Sequence, residues 1–184
     1  LALAYGQVHT DRVEAMILRA LFLGTKKEIE WAFFDAPLKF RPELIYRLND
    51  FLNNKTLINP IFALGKMLEN KNEKIRILGA YLWLAYESNL STIQFDYNTF
   101  NEVLSNSGKK KKILPNTPFL EWHYIKNNFF LKPNQLLKHK KKLSNIKISI
   151  IQSDYDLLCP PQTSFNFASG LSNCKVIRID SAGH

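Results

Sequence analysis

Cysteine is scarce in this sequence. Of 184 residues only Cys159 and Cys174 carry a thiol, too few for a disulfide framework and without the spacing of a metal site. A reducing, cytoplasmic setting is therefore the expectation. Long apolar runs are missing as well. No stretch approaches the roughly 18 residues a membrane span requires, and the apolar residues 1–8 are too short, and lack a basic leader, to read as a signal peptide. Acidic residues are outnumbered, 16 against 25 lysines and arginines, for a formal charge of +9. The excess sits largely at residues 109–112, all lysine, and at 138–142, where His139 interrupts the run. Neither cluster interleaves the aromatics that stack on bases, so both read as solvated surface and no nucleic-acid partner is expected. Finally, no Gly-x-Ser-x-Gly occurs anywhere. The sharp strand-to-helix turn that exposes a nucleophilic serine is not in this chain.

What is present reads as an α/β chain. Residues 1–5 are small and apolar, the pattern of a helix packed closely under a sheet, and residues 13–18 form a short buried strand. From 25 to about 145 the pattern turns helical. Residues 26–34 are one helix. Pro42 and Pro60 stand where first helical turns tolerate proline, ahead of Leu44, Ile45, Leu48 and Leu52 and of Ile61, Leu64 and Leu68. Residues 73–87 carry Ile75, Leu78, Leu82 and Tyr86 on one face. Thr117-Pro118 opens a further helix, residues 134–143 make a short one, and 105–114 form a polar, basic loop. Strands return at 147–152 and 174–179, with a helix at 161–170 between them that Gly170 closes. Strands separated by helices imply a parallel sheet. Three stretches are expected: core at 1–24, a helical insertion over 25–145, and core again at 146–184.

The chemistry gathers at the carboxyl ends of the last two strands, where parallel sheets collect catalytic groups. Asp154 and Asp156 follow the first of these strands, and His184 follows the second within Asp180-Ser181-Ala182-Gly183-His184. An acid and then a histidine, each just past a strand, are the last two members of a Ser…Asp…His triad in α/β-hydrolase order. In such a triad the acid orients the histidine and the histidine takes the nucleophile's proton. Spacing alone leaves Asp154 and Asp156 both open. Cys159 precedes a proline with no histidine close by in sequence, and is not expected to replace the serine.

At this point the chain resembles the proline iminopeptidases, α/β-hydrolases with a helical cap. Residues 1–5 are similar to the helix after that family's nucleophile elbow. Residues 12–23, Arg-Val-Glu-Ala-Met-Ile-Leu-Arg-Ala-Leu-Phe-Leu, resemble the strand and turn leading to its cap, and Glu28-Ile29-Glu30-Trp31 its first cap helix. Trp83-Leu84-Ala85-Tyr86-Glu87 stands where the family has Trp-x-x-Trp-Glu. Glu121-Trp122-His123-Tyr124 resembles its Glu-x-His-Tyr segment. Tyr155-Asp156-Leu157-Leu158-Cys159-Pro160 and Ala182-Gly183-His184 resemble its acid and histidine motifs. The sequence departs from the family at Ala32, Tyr86 and Ile125, each standing where an aromatic residue, tryptophan in the case of Tyr86, is usual.

The resemblance implies a partial α/β-hydrolase fold with a helical cap, and release of N-terminal proline from peptides through a serine ester. It implies Asp156 and His184 as triad acid and base. It implies Glu87 and Glu121 as ligands of the substrate's protonated amine, and Phe22 and Cys159 as walls of a small apolar pocket for the pyrrolidine ring. It also implies a nucleophile upstream of Leu1, so the chain reads as a piece of a longer protein, inactive by itself. Neither cofactor nor metal is expected. Another capped hydrolase, an esterase or an epoxide hydrolase, and a non-catalytic binding protein remain the alternatives.

Overall fold

The computed structural model describes residues 1–106 and 115–184. Three strands, β1 (Ala15–Arg19), β2 (Lys147–Ser153) and β3 (Cys174–Ile179), make a parallel sheet in the order β1-β2-β3. Met16 lies opposite Ile148 and Leu18 opposite Ile150, while Ile150 lies opposite Val176. Side chains alternate along each strand, so Met16, Ile148 and Ile150 share one buried face with Leu3 of α1 (Ala2–Val8) and Phe167 of α10 (Pro161–Ala168). On the opposite face Ile17, Ile177 and Ile179 are exposed. The expected α/β class and parallel sheet are those observed. Helix α10 begins at Pro161, as its sequence implied, with Gly170 just past its end.

Between β1 and β2 the described chain is helical. It forms α2 (Lys26–Glu30), a π-helical turn (Trp31–Asp35), α3 (Ala36–Phe40), α4 (Pro42–Phe51), α5 (Ile61–Leu68), α6 (Glu73–Ser91), α7 (Tyr97–Asn106), α8 (Thr117–Lys126) and α9 (Gln135–Lys138). These helices close around their own core, in which Leu44, Leu48, Ile61, Leu64, Leu82, Trp83, Tyr86 and Phe100 are fully buried. Each such side chain contributes about 1.5–3 kcal/mol by leaving water. Prolines mark the starts as expected, with Pro42 first in α4, Pro60 capping α5 and Pro118 in the first turn of α8. Thr25 and Glu28 add a reciprocal capping box at α2. Among the described residues no helix is long and apolar enough to cross a membrane.

Four expectations need revision. The helix expected over 26–34 continues to Phe40, through a proline. Pro37 has no N–H to offer the Phe33 carbonyl four residues back, and its ring would crowd that oxygen in a regular helix. The chain widens instead into a π turn, with the Ala36 N–H reaching the Trp31 carbonyl, and the buried Tyr86 hydroxyl donates to the Phe33 carbonyl at 2.9 Å. Helix α7 was not expected at all. The helix expected over 134–143 is α9 followed by a separate 3-10 turn, Lys140–Leu143. Within that cluster Lys140 is not simply solvated, for its ammonium donates to the Asn166, Phe167 and Ser169 carbonyls at the end of α10. The lysines at 109–112, and most of the loop expected over 105–114, lie outside the described residues.

The Tyr86 hydroxyl should matter because it serves a carbonyl released by proline. Tyr86→Phe is expected to lower unfolding stability by about 1–2 kcal/mol, read as a lower denaturant midpoint at unchanged slope.

Candidate active site

Beyond β2 the chain turns through Asp154-Tyr155-Asp156, and beyond β3 through Ser181-Ala182-Gly183. The Asp154 N–H donates to the Ile179 carbonyl and the Tyr155 N–H to that of Ala182, at 3.2 and 3.1 Å, so the two turns are laced together. His184 Nδ1 and Asp156 Oδ2 lie 2.8 Å apart. The other oxygen, Oδ1, accepts the Leu158 and Cys159 N–H groups at 3.0 and 2.7 Å. An ionised carboxylate can only accept, so the imidazole proton belongs on Nδ1 and the Nε2 lone pair is left free. The Asp156 side chain is fully buried, whereas that of His184 is 26% exposed. Asp154 is engaged elsewhere: Arg178 Nε and Nη2 reach its two oxygens at 2.8 and 2.6 Å, holding its carboxyl below the usual range. Of the two candidate acids, Asp156 is the one that meets the histidine.

The position of His184 also depends on the helical section. Its backbone N–H donates at 2.8 Å to the carbonyl of Ser91, the last residue of α6, which would otherwise be one of the unpaired carbonyls of a helix end. The approach is so close that a Cβ at position 183 would stand 2.1 Å from the Ser91 oxygen; only glycine fits before this histidine. The acid turn has a similar tie, since Trp31 Nε1 donates to the Leu157 carbonyl at 2.9 Å.

One turn before its end, α6 carries Glu87, and α8 brings Glu121 to meet it. Their carboxyls hydrogen-bond to each other, and Trp83 Nε1 donates to Glu121 Oε2 at 2.7 Å. Burial, and the neighbouring Glu121 charge, push the Glu87 carboxyl well above its usual range, and burial also raises Glu121. Two carboxylates this close cannot both ionise without a counter-charge, so the pair shares a proton between its two members.

Glu87, Glu121, His184, Phe22 and Cys159 all line one cavity of about 450 Å³, and Asp156 lies behind His184. Every site residue expected from the sequence is thus at or directly behind one cavity. Phe22 is placed by its neighbour, for the Leu23 N–H donates to the buried Glu28 carboxylate at 2.9 Å. The Cys159 thiol is pushed up by burial and by the Asp156 and Glu28 carboxylates. It is a protonated, apolar wall and not a thiolate nucleophile. Donor atoms of Asp156, Cys159 and His184 lie within 4.8 Å of one another. A metal held there would have to break the Asp156–His184 hydrogen bond and ionise a thiol whose surroundings oppose it. In the sequence Trp83 and Trp31 stand in family-like motifs without a role at the site, and Ser91 is not singled out. The spacing of Trp83, four residues before Glu87 and so on the same helix face, is a signal for its role.

No protein-family model matches the chain. Over its full length it is similar to a probable proline iminopeptidase of Leptolyngbya boryana, at 28% identity over 185 residues and 56% of that protein. The proline iminopeptidase of Arabidopsis thaliana is 28% identical over 186 residues, 48% of its length. That of Neisseria gonorrhoeae is 26% identical over 186 residues, 57% of its length. The chain spans about half the length of the curated relatives it matches.

The shared proton has a stability signature. A carboxyl whose folded-state value is raised binds its proton more tightly in the folded state, so stability falls as pH rises from the ordinary 4.5 of a free glutamate towards the raised value. Glu87→Gln keeps a donor to Glu121 without a titrating proton. The variant is expected to melt higher than the parent at pH 7, with the difference vanishing near pH 4; thermal melts across this range measure it.

Proposed function

We propose that this chain is the acid–base and substrate-recognition part of a serine aminopeptidase that releases N-terminal proline from peptides. The observation that carries the proposal is one cavity bearing both a carboxyl pair, Glu87–Glu121, and a buried acid–histidine pair, Asp156–His184. The names borne by its relatives support the same reading. Residues 25–145 act as a cap over the parts of the hydrolase core formed by 1–24 and 146–184.

An exopeptidase must read a free terminus. A protonated amine between Glu87 and Glu121 supplies the counter-charge the pair lacks, so its arrival drives off the shared proton and leaves two carboxylates around one cation. An internal peptide bond offers no such charge and leaves the pair unrelieved. The pyrrolidine ring lies against Phe22 and Cys159. The scissile carbonyl is thereby turned towards His184.

The nucleophile is a serine outside this chain. His184 Nε2 takes the serine proton as the oxygen attacks the carbonyl carbon, and Asp156 holds the imidazolium through Nδ1–H. Collapse of the tetrahedral intermediate breaks the C–N bond, and His184 returns the proton to the departing amine. Water, deprotonated in turn by His184, then cleaves the ester, releasing proline and regenerating the serine. Side chains supply every step, and no cofactor or metal is called on. Without the serine the chain by itself is inactive. Two free cysteines accord with a cytoplasmic enzyme, and the lysine clusters are assigned no nucleic-acid role.

In the full-length protein Asp156→Asn should lower kcat for a prolyl arylamide by about 10⁴-fold, and His184→Ala at least as much; full activity in either variant overturns the triad. Glu87→Gln and Glu121→Gln should each raise KM for that substrate by about 10- to 100-fold, the loss of a buried charge partner, while sparing simple aryl esters. Equal losses on both substrates would point to an esterase.

A further inference from the structure

Asn128, Phe129 and Phe130 are three consecutive non-glycine residues with φ of 49, 56 and 55°. L-residues visit this left-handed region singly and at a cost, and a run of three persists only where the surroundings hold it. Two hydrogen bonds close the turn, from the Phe130 N–H to the Asn127 carbonyl and from the Leu131 N–H to that of Asn128, both at 3.0 Å. Phe130 is 64% exposed, so the turn is not built to bury it. Phe129 points inward. Its ring meets Phe22 edge-on, with centroids 5.1 Å apart at 72°, and lies against Gly24, where a Cβ would stand 3.0 Å from the ring. Gly24 itself has φ +69°.

The ring stands between two spaces. One is the cavity of about 450 Å³ with Glu87, Glu121 and His184 in its wall. The other, about 390 Å³, lies on the side of Phe62 and Lys126. Phe129, with Gly24, Ile29 and Ile125, borders both. A pyrrolidine ring is small enough to fit on the near side. A longer N-terminal side chain that reached towards the second space would have to pass where the Phe129 ring is.

We propose that Phe129, held inward by the left-handed turn at 128–130, is the partition that limits the first cavity to a small N-terminal residue. This rests on the aminopeptidase assignment above and adds the residue that sets its side-chain selectivity. Gly24 presents no side chain to this boundary, and Ile29 and Ile125 complete it beside the ring.

The test uses the full-length enzyme with prolyl, leucyl and phenylalanyl arylamides. Phe129→Ala should join the two spaces and raise the ratio of kcat/KM for the phenylalanyl over the prolyl substrate by about tenfold or more, the scale on which apolar pockets discriminate by size. Phe129→Leu, which keeps most of the packing and so the fold, should shift the ratio the same way by a smaller factor. Circular dichroism shows which variants are folded. A folded variant with an unchanged ratio, or with an equal loss on all three substrates, overturns the partition and makes Phe129 a packing residue only. A parent enzyme that cleaves none of the three overturns the aminopeptidase assignment, and the partition with it; cleavage of the prolyl substrate with no ratio change overturns the partition alone.

Discussion

The hydrogen bond from the His184 N–H to the Ser91 carbonyl joins the two halves of this molecule. It runs from the last turn of the sheet to the last residue of α6, and it can form only because residue 183 lacks a side chain. Through it the histidine is placed by the same helix that carries Glu87, the Trp83 donor to Glu121 and the Tyr86 hydroxyl that serves the Phe33 carbonyl. One rigid 19-residue helix thus sets the distance between the groups that would recognise a substrate and the group that would move its proton. Side chains on a buried helix are held by packing on all sides, which is what a preorganised site needs.

The carboxyl pair is the site's main local conflict. Two acids share a mostly buried space, and the fold accepts the burden of a proton it would lose in water. Trp83 limits that burden by fixing one oxygen of Glu121. Glu69 contributes from further off, accepting from Trp122 Nε1 at 3.0 Å and from Lys126 at 2.6 Å, which ties α8, the helix that carries Glu121, to the end of α5. A cationic ligand would turn the conflict into attraction. Groups that oppose folding of the empty protein are commonly the ones a ligand relieves.

Most of this architecture was legible in the sequence wherever local chemistry and tertiary position agree. Pro42, Pro60 and Pro118 opened helices where proline usually does, the isoleucines of 147–152 made a strand, and the order of Asp156 and His184 survived into contact. The failures have particular causes. The π turn at Trp31–Asp35 answers to Pro37 and Tyr86, residues far apart in sequence, and no periodicity carries that pairing. Helix α7 rests on little more than Phe100 and Val103 as buried apolar residues in a polar stretch, too few repeats to read. Asp154 and Asp156 are equivalent by spacing, and Arg178 separates them only once β2 and β3 lie side by side. Asn128 tolerates a left-handed φ, but nothing in Phe129-Phe130 announces one, because no glycine is there.

That last case shows how strain and selectivity are related here. A turn of glycines would reach the same backbone at less cost, but it would leave no ring between the two cavities. Placing Phe129 there requires a side chain at a φ that side chains avoid, and the aromatic contact with Phe22 and the close seat against Gly24, which has no side chain to block it, help hold it. The wall and the strained turn therefore come as one feature. The same logic applies at Gly183, with the sign reversed: there a side chain is forbidden because backbone must meet backbone. In both places the residue follows from how closely two parts of the chain approach, and the size of the cavity and the position of the histidine follow from that approach.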